Sequence, residues 1–227
     1  MIISPGTVPD FIISFERVIP MTRAQMKARA KEILQGNWGT AIAVLLVTAV
    51  ITGLGSRLGP SYYQTELAAG IHMEERLNLV QTVVGGALSV GTCGVYLSFL
   101  RQGKSDFIRL FDGFTDCFVA ALIAYLIVTI ATAVGCVLLL VPGIIVALMF
   151  SQTFFILRDH PDMSGLDAAM ASKDMMRGHK AELFVLWLSF LPWFLLCVLV
   201  LPLLYVAPYC QATLTVYYEQ LRQESGF

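Results

Sequence analysis

Almost forty consecutive residues near the C-terminal end, 183–221, contain a single side chain that carries charge at neutral pH, Glu219. A helix that crosses a bilayer once needs about 20 apolar residues, so this run is long enough for two crossings. Pro202 stands near its middle, where a turn between two helices would fall. The run therefore predicts a hairpin of two transmembrane helices, and lipid becomes the solvent in which the rest of the chain is interpreted.

The composition extends this prediction to the whole chain. The 227 residues are 57% hydrophobic and 14% charged, whereas about 25% of the residues in a soluble domain are charged. The hydropathy pattern predicts transmembrane helices at 38–58, 77–100, 117–140, 143–157, 183–201 and 203–220. We therefore expect an all-α polytopic membrane protein whose six helices form three hairpins in a single domain, residues 21–227.

Lysine and arginine are distributed unevenly around these helices. Thirteen of the 15 fall in the N-terminal arm, the 101–116 loop, the 158–182 loop or the C-terminal tail, and Arg57 and Arg76 fall on the opposite side. Positive loops remain in the cytoplasm. Both termini are therefore predicted to be cytoplasmic.

The first twenty residues do not resemble a signal peptide, because they lack a basic start, an unbroken apolar stretch and a small-residue cleavage site. Three prolines interrupt them, and Met21 then opens a new helix with Thr22 as its N-cap. We predict that residues 1–20 are a disordered extension and that Met21 is an alternative start. An ordered amphipathic arm is the other interpretation.

Three segments share one pattern, in which a charged helix carries an apolar pair, one further residue and then Gly36, Gly113 or Gly178. A predicted hairpin follows each time. The apolar pair can lie in the membrane interface while its charged neighbours face water, and glycine accepts the positive φ of a sharp bend. The pattern predicts that each hairpin is preceded by a cytoplasmic amphipathic helix, with the three glycines at the bends, in three parallel repeats.

Polar side chains within the spans are amides, hydroxyls and thiols, whereas ion-coupled transporters usually keep an ionisable group in the membrane. Glu182 and Glu219 fall at the cytoplasmic edge, where we expect them to be solvated. A buried amide needs a hydrogen-bond partner. A candidate intramembrane polar pocket between the fourth and sixth helices comprises Gln152, Gln211, Thr132 and Thr213. A simple interhelical hydrogen bond is the alternative.

Two further surfaces suggest contacts. Small residues spaced four apart in the second span, such as Gly85 and Ser89, favour close helix packing within the bundle or the seam of a homo-oligomer. The methionine-rich helix at 164–177 could lie on membrane lipids or bind a partner protein.

No pattern in the sequence indicates catalysis. There is no His-x-x-x-His, phosphate-binding loop, nucleophile elbow or dinucleotide fingerprint, and a net charge of −1 argues against nucleic-acid binding. We therefore expect no enzyme, no catalytic or metal-binding residues, no cofactor and no nucleic-acid partner.

An ordered set of motifs resembles a known family over about residues 22–221. The motifs are Gly94-x-Tyr96-Leu97, Phe111-x-Gly113-Phe114, Val141-Pro142-Gly143, Leu157-x-Asp159-x-Pro161, Ser172, Met176-x-Gly178-His179-Lys180, Pro208-Tyr209 and Tyr217-Tyr218-x-x-Leu221. Together they resemble the bacterial integral-membrane family called domain of unknown function 975. The resemblance implies a six-helix protein of the bacterial cytoplasmic membrane and implies no activity.

Two functions fit these observations. The first is a non-enzymatic scaffold of the membrane or envelope that acts through lipids or partner proteins. The alternative is a transporter or flippase for a neutral or amphipathic small molecule or lipid. A cavity at membrane depth lined by Gln152, Gln211 and threonines would favour the alternative, and a closed apolar bundle would favour the scaffold.

Overall fold

A computed structural model describes residues 21–58, 65–66, 72–73, 79–103, 106–138, 140–196 and 200–227. These residues are almost entirely helical, which confirms the all-α prediction. The helices are α1 (Arg23–Leu34), α2 (Trp38–Leu58), α3 (Leu79–Gln102), a 3₁₀ helix (Phe107–Phe111), α4 (Asp112–Thr115), α5 (Phe118–Leu138), α6 (Leu140–Met149), α7 (Thr153–Asp159), α8 (Gly165–Met175), α9 (Lys180–Leu188), α10 (Leu191–Leu196) and α11 (Val200–Ser225). Between α2 and α3, β1 (Thr65–Glu66) pairs antiparallel with β2 (His72–Met73). The prediction for residues 1–20 lies outside the described residues.

Among the described residues, three helical segments are long and apolar enough to cross a membrane: Val83–Gln102, Phe118–Val137 and Val141–Asp159. A fourth crossing results if Arg23–Leu34 and Trp38–Gly53, which meet at 93°, form one broken span. The length and composition of these helices identify the chain as a membrane protein.

Glycines with positive φ stand at two changes of chain direction. Gly36, with φ of +85°, separates α1 from α2 at the 93° bend. Gly178, with φ of +87°, separates α8 from α9. Neither position would bring an added Cβ within 4 Å of another residue. Backbone conformation, and not lack of space, is therefore what favours glycine at these two sites.

Gly113 does not stand at the bend with positive φ that the sequence pattern predicts. It lies inside the short helix α4 and does not adopt positive φ. A Cβ at Gly113 would overlap the carbonyl oxygen of Ala87 in α3, and a Cβ at Gly91 would overlap the carbonyl oxygen of Leu110. Glycine is required here because two backbones approach closely.

Burial separates central helices from peripheral ones. The apolar window of α3 is 72% buried, whereas that of α5 is 17% buried. The core helices α3, α7 and α11 contact one another: α3 packs on α7 and on α11, and the rings of Phe155 in α7 and Tyr218 in α11 stack with centroids 5.0 Å apart. The helices α2 and α5 flank this core and expose apolar side chains such as Val50 and Val119.

The short segments that precede the long helices pack on these core helices in cyclic order. The 3₁₀ helix and α4 pack on α3, α8 packs on α7 and also on α5, and α1 packs on α11. Between α11 and α1, the hydroxyl of Tyr209 donates to the carbonyl of Lys27 at 3.3 Å. The Lys27 ammonium lies 4.2 Å from the centroid of the Phe190 ring, and burial lowers its pKa. Each segment therefore contacts the core helix that comes before it, and α1 closes the ring on the last one.

The helix predicted at 143–157 is broken into α6 and α7 at residues 150–152. Ser172 of α8 lies against this break and is fully buried. Its hydroxyl donates to the carbonyl of Met149 at 2.9 Å and accepts from the backbone N–H of Gln152 at 3.2 Å. Buried backbone groups need hydrogen-bond partners, and Ser172 serves as the partner of two of them at this break.

Candidate functional site

A partly open cavity of about 370 Å³ lies between α2, α3, α5, α7 and α11. Its wall consists of Thr48, Thr52, Gly85, Leu88, Ser89, Thr92, Cys93, Tyr125, Ser151, Phe154, Phe155, Gln211 and Leu214. These side chains are hydroxyl, amide, thiol, aromatic and aliphatic groups, without any Asp, Glu, Lys or Arg. The volume falls within the range of about 300–1,000 Å³ that is usual for small-molecule sites.

The hydroxyl groups of the wall are arranged to accept hydrogen bonds. Ser89 Oγ donates to the carbonyl of Gly85 at 2.8 Å, and Thr52 Oγ1 donates to the carbonyl of Thr48 at 2.7 Å. A hydroxyl that donates within its own helix keeps its lone pairs as acceptors. Thr48 Oγ1 is buried without a hydrogen-bond partner among the described residues. The wall can therefore receive N–H or O–H groups from a bound molecule.

The two predicted amides occupy different positions relative to the cavity. Gln211 is part of the wall. Gln152 is fully buried beside the wall residue Ser151, and its Nε2 donates to Ser151 Oγ at 3.0 Å. The other amide atom, Gln152 Oε1, has no hydrogen-bond partner in the part of the chain that the structure describes. Gln211 thus faces the cavity, whereas Gln152 binds the hydroxyl of Ser151, which faces the cavity.

The two predicted threonines lie elsewhere. Thr213 Oγ1 donates to the carbonyl of Tyr209 at 2.8 Å, within α11. Thr132 Oγ1, in α5, is buried with no partner among the residues described. Neither threonine belongs to the wall.

Thr48 and Thr52 of α2 and Tyr125 of α5 line the cavity but were absent from the predicted pocket. A signal for the threonines exists in the sequence, because they are four residues apart in an apolar helix and therefore share one face. Tyr125 is a single aromatic residue in an apolar run, and nothing in the sequence distinguishes it.

A group of five side chains joins the ends of the core helices, and we name it the Arg101 cluster: Arg101, Asp159, Tyr218, Glu219 and Arg222. Arg101 forms two bonds with Asp159, at 2.7 and 2.8 Å, and two with Glu219, at 2.8 and 3.0 Å. Tyr218 donates to Asp159 at 3.0 Å, and Arg222 binds Glu219 at 2.9 Å. The expectation of a solvated Glu219 was wrong, because its side chain is only 15% exposed between the two arginines.

A second ion group lies on the same end of the bundle. Arg158 of α7 binds Asp112 at 2.6 Å and Asp116 at 3.3 Å. Gly94 of α3 leaves room for this guanidinium, because a Cβ there would lie 2.7 Å from Arg158 Nε. These ion pairs connect α7 to α4 and to Asp116, which directly follows α4.

The methionine-rich surface predicted on residues 164–177 is largely used within the fold. Met175 and Met176 are buried in the core. Leu166 and Met170 of α8, one turn apart, remain more than half exposed. These two are the exposed large apolar side chains of α8.

The small residues of α3 also pack within the bundle. A Cβ at Gly86 would lie 2.5 Å from the carbonyl oxygen of Ala121 in α5. This contact and the contact of Gly91 with the 3₁₀ helix cover part of the α3 surface that a second copy of the chain would need to reach in a homo-oligomer.

The chain was compared with protein families, curated proteins and solved structures. The model of the family described as "Protein of unknown function (DUF975)" matches residues 129–225, a segment that includes Gln152, Asp159, Ser172, Gln211 and Glu219. No curated protein and no solved structure matches the chain. Within the described residues, no group of three or more His, Cys, Asp or Glu could hold a metal ion.

Proposed function

We propose that this chain, whose residues 129–225 match the model of the family described as "Protein of unknown function (DUF975)", is a transporter or flippase of the bacterial cytoplasmic membrane. Its substrate would be a neutral amphipathic small molecule or lipid, bound in the cavity between α2, α3, α5, α7 and α11. The cavity carries the proposal, because a closed apolar bundle would offer no such space.

The proposed architecture has six transmembrane helices in one domain, residues 21–227. The three hairpins are α2 with α3, α5 with α6–α7, and α9–α10 with α11, each preceded by a cytoplasmic amphipathic segment. The cyclic packing of α1, the 3₁₀ helix with α4, and α8 on the core helices supports this arrangement, since three parallel repeats about one axis would produce the same order of contacts.

The proposed orientation places both termini in the cytoplasm, with the Arg101 cluster on the same side. The distribution of basic residues supports it. Arg101, Arg158 and Arg222 all stand near the ends of core helices. Pro142 and Pro202, where the sequence predicts turns, lie instead in the first turns of α6 and α11, and the stretches around them contain no lysine or arginine.

The wall of the cavity indicates the chemistry of its occupant. An ion inside the membrane needs a compensating charge, and the described residues of the wall provide none. Its hydroxyls and the Gln211 amide suit a molecule with a few hydrogen-bonding groups, while Leu88, Phe154 and Leu214 suit an apolar portion. A polar head with a hydrocarbon or ring body meets both conditions.

The experiment is the identification of molecules that co-purify with the protein in mild detergent, by mass spectrometry. Ser89→Leu fills the cavity, and Thr215→Val is the matched control, because Thr215 is buried in α11 outside the cavity wall. We expect one species to accompany the original chain and Thr215→Val and to be lost from Ser89→Leu. An equal set of molecules in all three preparations would reject the cavity as a binding site.

A scaffold that binds a partner protein is the second candidate. The exposed pair Leu166 and Met170 on α8 supports it. Replacement of both by Ser should abolish capture of a specific partner while leaving the co-purified small molecule unchanged. Loss of that molecule with retention of the partner would reject this function for the pair.

A further inference from the structure

A continuous path of contacts leads from the cavity to the Arg101 cluster. Phe155 lines the cavity and stacks on Tyr218, with ring centroids 5.0 Å apart and planes at 20°. The Tyr218 hydroxyl donates to Asp159 Oδ2 at 3.0 Å, and the same carboxylate is bound by Arg101. The cavity wall and the cluster are therefore separated by one aromatic pair.

A second aromatic pair lies beside the first. Tyr96 and Phe99 of α3 follow the wall residue Cys93 by one and two turns, and their rings meet edge to face with centroids 5.3 Å apart. Tyr96, Phe99, Phe155 and Tyr218 are all buried. We name these four rings the aromatic layer, which lies between the cavity and the cytoplasmic ends of the core helices.

Beyond the aromatic layer, one guanidinium holds three helices together. Arg101 comes from α3, Asp159 from α7 and Glu219 from α11. The carboxylates are largely buried, with side chains 10% and 15% exposed, while the Arg101 side chain is 34% exposed. Without Arg101, the two acids would be left close together with one fewer counter-charge, which favours separation of the helix ends.

We propose that the aromatic layer and the Arg101 cluster form a cytoplasmic gate for the cavity. When Arg101 binds both carboxylates, the cavity is closed to the cytoplasm. When these bonds break, the ends of α3, α7 and α11 separate and water reaches the wall. The role of this gate in transport rests on the proposed function, but the gate itself is tested without any knowledge of the substrate.

Cys93 provides the probe, because it belongs to the cavity wall and is buried. In a chain whose other four cysteines are replaced by Ser, inside-out vesicles are treated with a membrane-impermeant cationic methanethiosulfonate. The unmodified fraction of Cys93 is then read by the mass shift that a maleimide–polyethylene glycol adds after denaturation. The same treatment of right-side-out vesicles reports access from the other face.

We expect slow modification in inside-out vesicles when the cluster is intact. A closed protein populates a minor open state at about 0.1–10%, so Arg101→Gln and Asp159→Asn should each raise the cytoplasmic rate by about tenfold or more. Arg177→Gln is the matched control, because Arg177 pairs with Asp174 on the surface of the same helical segment and joins no core helices. Its rate should equal that of the parent chain.

Two rate measurements and one folding result would each overturn the gate. One is a parent chain whose Cys93 already reacts rapidly from the cytoplasmic face. The other is an unchanged rate in variants that remain monodisperse by gel filtration. Glu219→Gln is the reserve variant if Arg101→Gln does not fold, and loss of folding in all three variants would also reject the gate, since a gate opens without unfolding.

The two proposals fail separately. Faster Cys93 modification in a protein that carries no selected molecule would retain the gate and reject the binding function. A co-purified molecule that Ser89→Leu abolishes, with no effect of Arg101→Gln on Cys93, would retain the binding function and reject the gate.

Discussion

Ser172 donates its hydroxyl hydrogen to the carbonyl oxygen of Met149 across 2.9 Å, from the helix α8 to the last residue of α6. The same oxygen accepts the backbone N–H of Gln152 at 3.2 Å. One side chain thus replaces two of the hydrogen bonds that the break between α6 and α7 removes. The break carries Ser151 to the cavity wall, so the position of a polar part of the wall depends on Ser172.

We therefore expect Ser172→Ala to destabilise the protein by about 1–3 kcal/mol, because a buried carbonyl and a buried N–H lose their partner. Thermal denaturation in detergent, followed by the fraction of monodisperse protein, measures the effect. Ser225→Ala is the control, since the Ser225 hydroxyl bonds only to an exposed carbonyl near the end of α11. Equal melting temperatures for the two variants would show that Ser172 does not support the break.

Gly36 and Gly113 should respond oppositely to the size of a new side chain. At Gly36, Ala costs about 1–2 kcal/mol through positive φ, and Asn costs less because it tolerates that conformation. At Gly113, which abuts the Ala87 carbonyl, Asn should be more harmful than Ala. Melting temperatures of the four variants test this, and the same order at both positions would contradict the two separate roles.

Tyr218 and its neighbour Tyr217 form a matched pair. Tyr218 donates to the Asp159 carboxylate, whereas Tyr217 donates to the backbone carbonyl of His179 at 3.1 Å. Loss of a hydrogen bond to a charged group costs about 1.5–3 kcal/mol, against about 0.5–1.5 kcal/mol for a neutral one. Tyr218→Phe should lower the melting temperature more than Tyr217→Phe, and it alone should speed the modification of Cys93. A larger effect of Tyr217→Phe would contradict the importance of the cluster.

The proposed topology predicts which positions face the cytoplasm. Single cysteines introduced at Asp106 and Asp162 in a cysteine-free chain should react with an impermeant maleimide only in inside-out vesicles. A cysteine at position 68 should react only in right-side-out vesicles. Labelling of Asp162→Cys from the outer face would contradict the three-hairpin arrangement.

The extents of α2 and α5 could be read from the sequence with little error, whereas the prediction at 203–220 misses the first three and the last five residues of α11 (Val200–Ser225). The prediction at 38–58 coincides with α2, and the prediction at 117–140 differs from α5 (Phe118–Leu138) by one or two residues at each end. The physical reason is that the thickness of a bilayer fixes the length of an apolar helix. The resemblance to domain of unknown function 975 was also confirmed, over residues 129–225.

Features that depend on distant parts of the chain could not be read in this way. The apolar run continues through Phe150, and the break there depends on Ser172, which lies twenty residues beyond Gln152. The partners of Arg101 are 58 and 118 residues away. The local sequence pattern predicts that a charged residue lies at a helix end. It does not predict the residue's partner, because tertiary packing determines which distant residues lie beside it.

Photo-crosslinking from the cavity tests the central claim most directly. A benzophenone amino acid at Gln211, in the cavity wall, is compared with one at Val134, which is exposed on α5. After irradiation in native membranes, mass spectrometry identifies the added molecules. The cavity account predicts that one neutral amphipathic species is strongly enriched at position 211, while position 134 captures membrane lipids in proportion to their abundance. The same proportions at both positions would contradict a selective binding site in the cavity.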